Sequence, residues 1–159
     1  MRFIPAFAIL LTLAGPAAAA DQLVMTLELA AGTSDCPMIV AWLVDGEGKF
    51  VKTLRMFTKD KKYFKDMTSW MKARSTRESD QELDAVIGPT IKWKGSQTAT
   101  FPIKAGNVNL LDGTYTIRFE QNKDKGGHYK STKIPLGTDF HGVTLADQGY
   151  IKSLAITLK

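Results

Sequence analysis

Hydrophobic and polar positions alternate along much of this chain in steps of two, the period of a strand with one buried face. Leu23, Met25, Leu27 and Leu29 alternate with Val24, Thr26 and Glu28. Tyr115, Ile117 and Phe119 alternate with Thr116, Arg118 and Glu120, so Thr114–Glu120 is predicted as a central strand with Phe119 in the core. Met38–Val44 is an unbroken apolar run rich in β-branched and aromatic residues. That pattern predicts a central strand buried on both faces, with Trp42 in the core. Asp45-Gly46-Glu47-Gly48 then forms a tight turn whose glycines can take positive φ. Phe50–Phe57 pairs back, with Phe50, Leu54 and Met56 on one side. Thr98–Ile103 reads as a further strand, and Pro102 marks an edge or an end. His128–Ile134 returns after a hairpin loop over Asn122–Gly127, and Tyr150–Leu158 closes the chain. Ala31–Pro37 is a loop and Pro135–Gly149 is irregular.

The period changes once. Tyr63, Phe64, Met67, Trp70 and Met71 recur at three- and four-residue steps, which predicts one helix of about three turns over Tyr63–Ala73. Its apolar stripe must cover an edge or an open end of a sheet. Ser75–Glu82 is polar and reads as a mobile loop. Leu83–Ile87 is a short apolar stretch stopped by Gly88-Pro89. The sum, about seven strands with one short helix inserted, predicts an all-β domain of two packed antiparallel sheets.

The first twenty residues follow a different logic. Met1-Arg2 is a short positive start, Phe3–Leu13 an apolar run broken only by Pro5 and Thr12, and Ala17–Ala20 a small-residue tail. This is the pattern of a secretory signal peptide, with cleavage expected after Ala20. The run is too short and too broken for a comfortable membrane span. No later segment is long and apolar enough to cross a bilayer. The mature domain, residues 21–159, is therefore expected in the periplasm.

Charge and cysteine narrow the chemistry. The chain has 21 Lys and Arg against 16 Asp and Glu, for a net charge of +5. Arg2 is the only charge in the signal, so the mature chain carries +4. The lysines are interspersed with acids, which together with export argues against nucleic acid. Cys36 is the only cysteine and can form no disulfide within the chain. The apolar run that follows it favours burial. His128 and His141 are the only histidines, and no metal-ligand spacing joins them, so solvated side chains are the simpler reading. Met25, Met38, Met56, Met67 and Met71 lie on apolar faces and are expected to pack. No G-x-S-x-G nucleophile elbow is present.

Four blocks carry a resemblance to a known family. They are Ile39–Asp45 with Gly48–Leu54; Tyr63-Phe64-Lys65-Asp66-Met67 with Trp70; Leu83–Thr90; and Asp112–Glu120 followed by Lys125-Gly126-Gly127. In this order they resemble the periplasmic proteins grouped as domain of unknown function 2271, over most of the mature chain. The resemblance implies an immunoglobulin-like sandwich exported to the periplasm, in the company of flavin-attachment and iron- or redox-linked membrane genes. The family's third block reads like D-G-V-T-G-A-T and is similar to loops that take FMN on a hydroxyl through a phosphoester. Carried over, it makes Thr90 the acceptor, with Asp84 and Gly88 in the same loop and Trp93 as a stacking platform beside Lys92 and Lys94. Here Ala85 replaces a glycine, Ile87 a hydroxyl residue and Pro89 a small alanine. Pro89 fixes its own φ and restricts Gly88, which favours a plain sheet-closing turn.

The expectation is thus a non-enzymatic periplasmic binding or accessory module, without a resident cofactor or metal, serving a membrane redox or metal-uptake system. Its partner would be a periplasmic or inner-membrane redox or transport protein. The alternative is an electron carrier with covalent FMN on Thr90. A small hydrolase or lyase with a site assembled between loops is the third reading.

Overall fold

The computed structural model describes residues 21–32, 35–58, 61–74, 78–105, 107–123 and 127–159. The predicted signal peptide lies outside the described residues. So do the tip of the Asn122–Gly127 hairpin and residues 75–77 of the predicted loop.

The chain is mostly β. Among the described residues it forms ten strands, two short α-helices and a 3₁₀ segment. One four-stranded sheet is ordered β4(Ser96–Pro102)–β1(Gln22–Leu29)–β10(Ile151–Leu158)–β9(Val143–Gln148). The second is ordered β3(Phe50–Met56)–β2(Met38–Val44)–β7(Thr116–Asn122)–β8(His128–Pro135). β5 (Lys104–Ala105) and β6 (Val108–Asn109) form a small separate pair. All these strand pairings are antiparallel. One buried cluster draws on both large sheets, joining Leu23, Met25, Leu27, Leu154 and Ile156 on one side to Ile39, Ala41, Leu43 and Phe119 on the other.

The strand count exceeds the seven expected because β5, β6 and β9 were hidden in the sequence. β9 falls in the stretch read as irregular; only Val143 and Leu145 turn an apolar side chain inward, and half of the strand's residues are exposed. Pro102 does end an edge strand, β4.

β2 is buried along its whole length, as its apolar run demands. Ile39, Ala41 and Leu43 face the other sheet, while Met38, Val40, Trp42 and Val44 face outward into a second cluster under the helices. Trp42 and Phe119 are both fully buried, though in different layers. Two register shifts between β2 and β3 correct the expected side of Leu54. An inserted residue reverses the alternation, so Leu54 packs between the sheets while Phe50 and Met56 pack under the helices.

The single predicted helix is split. Lys61–Asp66 is 3₁₀, and α1 begins afresh at Thr68, ending at Arg74. Outward side chains of β7 cause the break. Glu120 accepts from the N–H groups of Ser69 (3.0 Å) and Trp70 (2.7 Å), and Asn122 Nδ2 donates to Asp66 O (2.8 Å). These donors and acceptors would otherwise belong to a continuous helical ladder. Phe64, Met67 and Trp70 face the sheet, and Trp70 Nε1 donates to Thr53 Oγ1 at 2.9 Å. Met71, the last residue of the predicted stripe, is 36% exposed.

A second helix, α2 (Asp80–Val86), occupies what reads as loop and short apolar stretch. Ser79 and Glu82 form a reciprocal capping box at its start. Glu78, just before it, is buried and binds Thr53 N (2.8 Å) and Oγ1 (2.6 Å). Arg74 closes this network through an ion pair with Glu78 (3.4 Å) and a hydrogen bond to its carbonyl (3.0 Å). The helices therefore dock on the outer face of β3–β2–β7 through named polar anchors as well as apolar contact.

Candidate functional site

At one end of the two sheets three aromatic rings meet edge to face. Trp93 and Tyr150 have ring centroids 6.0 Å apart at 70°, and Tyr150 and Tyr129 have theirs 5.1 Å apart at 88°. Both spacings fall in the range of favourable aromatic pairs. Lys123 Nζ lies 5.5 Å from the Trp93 ring centroid.

Backbone and polar groups hold the rings in place. The Tyr150 hydroxyl accepts from Gly127 N–H and donates to Gly127 O (2.9 Å). Tyr150 N–H donates to Gln121 Oε1 (2.9 Å), and Gln121 Nε2 donates to Gln148 O (2.8 Å). Gly149 takes φ +66°, and a Cβ there would sit 2.8 Å from the Tyr129 ring. A Cβ on Gly32 would overlap Trp93. Glycine is thus required at both positions to let backbone approach ring. Tyr129 is 46% exposed, so the cluster ends in a fixed, accessible aromatic face.

Of the sequence candidates, only Trp93 belongs to this cluster. Asp84 is exposed and forms a surface ion pair with Lys61. Gly88 is buried: its N–H donates to Met56 O (2.7 Å), Ile87 bridges β3 in parallel at Met56, and the Arg55 guanidinium lies where a Gly88 Cβ would be. Thr90 is half-buried beside fully packed Ile91. As a flavin-attachment loop this segment is a poor fit, because its backbone is bonded to β3 and covered by Arg55. Tyr129, Tyr150 and Lys123 were missed. Their sequence signal was the pairing of tyrosine with turn glycines, in Gly127-His128-Tyr129 and Gly149-Tyr150.

A family model described as a predicted periplasmic protein matches residues 21–153. The chain belongs to this family, domain of unknown function 2271. No curated protein and no solved structure matches it. The family description agrees with the exported reading of the sequence. Among the described residues, no helix is long and apolar enough to cross a membrane.

His128 is not in a solvated loop but opens β8, where its Nε2 meets Glu120 Oε1. The Glu120 side chain is fully buried and that of His128 is 25% exposed. Glu120 thus joins β7, β8 and the start of α1. His141 and Asp139 are exposed. Cys36 is half-buried rather than buried, since it precedes β2, which begins at Met38. Among the described residues, no three His, Cys, Asp or Glu side chains are grouped closely enough to hold a metal ion.

At the opposite end of the second sheet lies a groove of about 260 Å³. The turn after β2, the turn before β7 and the end of β8 enclose it. Asp45 Oδ1 accepts from Glu47 N–H (3.0 Å) and Lys49 N–H (2.9 Å), and Asp112 Oδ1 accepts from Thr114 N–H (3.0 Å) and Oγ1 (2.7 Å). These carboxylates set the turns that wall the groove.

Proposed function

We propose that this protein is a non-enzymatic periplasmic binding module that docks, through its Trp93–Tyr150–Tyr129 end, onto a periplasmic or inner-membrane protein of a redox or metal-uptake system. The observation that carries the reading is the exposed Tyr129 ring held rigidly by Tyr150, Gly149 and the Gln121 side chain. Tyrosine and tryptophan dominate protein–protein hot spots because they offer large contact area with few rotatable bonds. Lys123 beside Trp93 adds a positive rim suited to an acidic partner surface. The packing of two antiparallel sheets about a shared core supports an immunoglobulin-like sandwich, an architecture that displays binding groups at its ends. Burial of Gly88 beneath Arg55 supports an unmodified Thr90.

Affinity capture from periplasmic and solubilised inner-membrane extract tests the reading. The wild-type protein should retain a redox or transport component, and Tyr129→Ser should lose it without a change in the circular dichroism spectrum. Equal retention by both proteins would refute docking at this end.

A further inference from the structure

We infer that the groove beside Arg118 and Lys133 binds a small amphipathic anion, a carboxylate or phosphate carried on a short apolar body. The site is independent of the aromatic end, and no part of it enters the docking proposed above.

Register places the two cations together. Arg118 on β7 stands directly opposite Lys133 on β8. Directly opposed residues of an antiparallel pair share a face, with Cβ atoms about 4.5–5.5 Å apart. Like charges in that relation are destabilising. Both side chains line the groove. Trp42, opposite Arg118 on β2, holds the guanidinium carbon 5.7 Å from its ring centroid, a cation–π contact that fixes one charge in place.

The rest of the groove is suited to the remainder of such a ligand. Val44, Pro135 and Leu136 supply apolar wall, and Thr116 stands directly opposite Val44 and Pro135, two residues before Arg118 on β7. The volume of about 260 Å³ exceeds the roughly 150 Å³ that accommodates benzene and falls just below the roughly 300 Å³ at which drug-sized pockets begin. One ring or a short chain with an oxyanion fills it. Asp45 is the one acidic residue among the groove's lining residues, and its Oδ1 is occupied by the turn amides of Glu47 and Lys49. The nearby Glu47 carboxylate is paired with Lys49 at the surface.

Backbone-amide NMR titration of the purified protein with phenyl phosphate, benzoate, inorganic phosphate and neutral phenol tests the site. Phenyl phosphate or benzoate should shift the amides of Gly46, Gly48, Gly113 and Thr114 saturably, and the tighter of the two identifies the head group. Inorganic phosphate and phenol should each bind at least tenfold more weakly, since each offers half of the ligand. Lys133→Gln should weaken the anion at least tenfold with the fold intact, because Lys133 is solvent-exposed. Lys152→Gln, on the other sheet beside Glu28, should leave binding within twofold. Lys133→Glu should abolish binding, since it places a carboxylate where the anion's head group would sit. The proposal fails if no ligand shifts these amides at millimolar concentration, if phenol matches the anions, or if Lys133→Gln binds as wild type does.

Discussion

Glu120 shows how one side chain can organise a layer. The alternation Tyr115–Glu120 marks it as an outward strand position, where a glutamate is ordinarily solvated. Instead it is wholly buried, accepting from the backbone of Ser69 and Trp70 and meeting His128. Glu120→Ala strands those helix donors, and each buried donor left without a partner costs about 1–3 kcal/mol. Urea unfolding should show a loss of that size, with hydrogen exchange at Ser69 and Trp70 rising before the rest of the molecule. Trp42 behaves differently. Among the described residues its indole N–H has no hydrogen-bond partner, so its contribution comes from packing beneath the helices. Trp42→Ala should therefore cost about 3–5 kcal/mol, and Trp42→Phe markedly less in the same assay. The sequence pattern placed Trp42 correctly because an unbroken apolar run has only one good home. Nothing in it marked Glu120, since the helix that buries that carboxylate comes from a segment some fifty residues away.

At the scale of elements, local signals were legible where they were sufficient and silent where tertiary contact decided. The Met38–Val44 strand and the Asp45–Gly48 turn follow from local pattern and form as expected. Helix α2 carried a readable start, Ser79 with Glu82 three residues on, hidden by the polarity of its surroundings. The Tyr63–Ala73 stripe found three buried residues, Phe64, Met67 and Trp70, but not the exposure of Met71 or the break, which β7 imposes. β9 was silent because only Val143 and Leu145 pack against the core and none of its residues is fully buried. The aromatic end was legible only as Trp93, because its other rings come from distant hairpins. The capping box also sets a pH response. Hydrogen bonds from the Ser79 backbone and then its side chain lower the Glu82 carboxyl below its usual range. A folded-state value depressed below the unfolded one stabilises at pH above the unfolded value, and the gain is lost as pH falls through the folded one. Amide exchange at Leu83 and its neighbours should therefore accelerate on acidification below the ordinary glutamate range. Ser79→Ala should mimic this at neutral pH, at a cost of about 1 kcal/mol. The loop after α2 bears a further expectation. With Gly88 bonded to β3 and Arg55 packed over it, co-expression with a periplasmic flavin transferase should leave a colourless protein of unmodified mass. A flavin that survives denaturation and maps to Thr90 would show that this loop opens.

Across the whole molecule, two sheets share one core and the helices close a second core on one outer face. That arrangement leaves the two ends of the sheets to carry contacts. One end presents fixed aromatic rings; the other presents a groove with paired cations. The family to which the chain belongs is described as predicted periplasmic, the compartment in which the proposed docking would take place. The central claim, that the aromatic end is the docking face, is tested most directly by site-specific photocrosslinking in intact cells. A photoreactive phenylalanine analogue at position 129 should give one discrete crosslink to a periplasmic or inner-membrane protein. The same analogue at Thr144, exposed on β9, should give none. No adduct at 129, or the same adduct at both positions, would contradict the account.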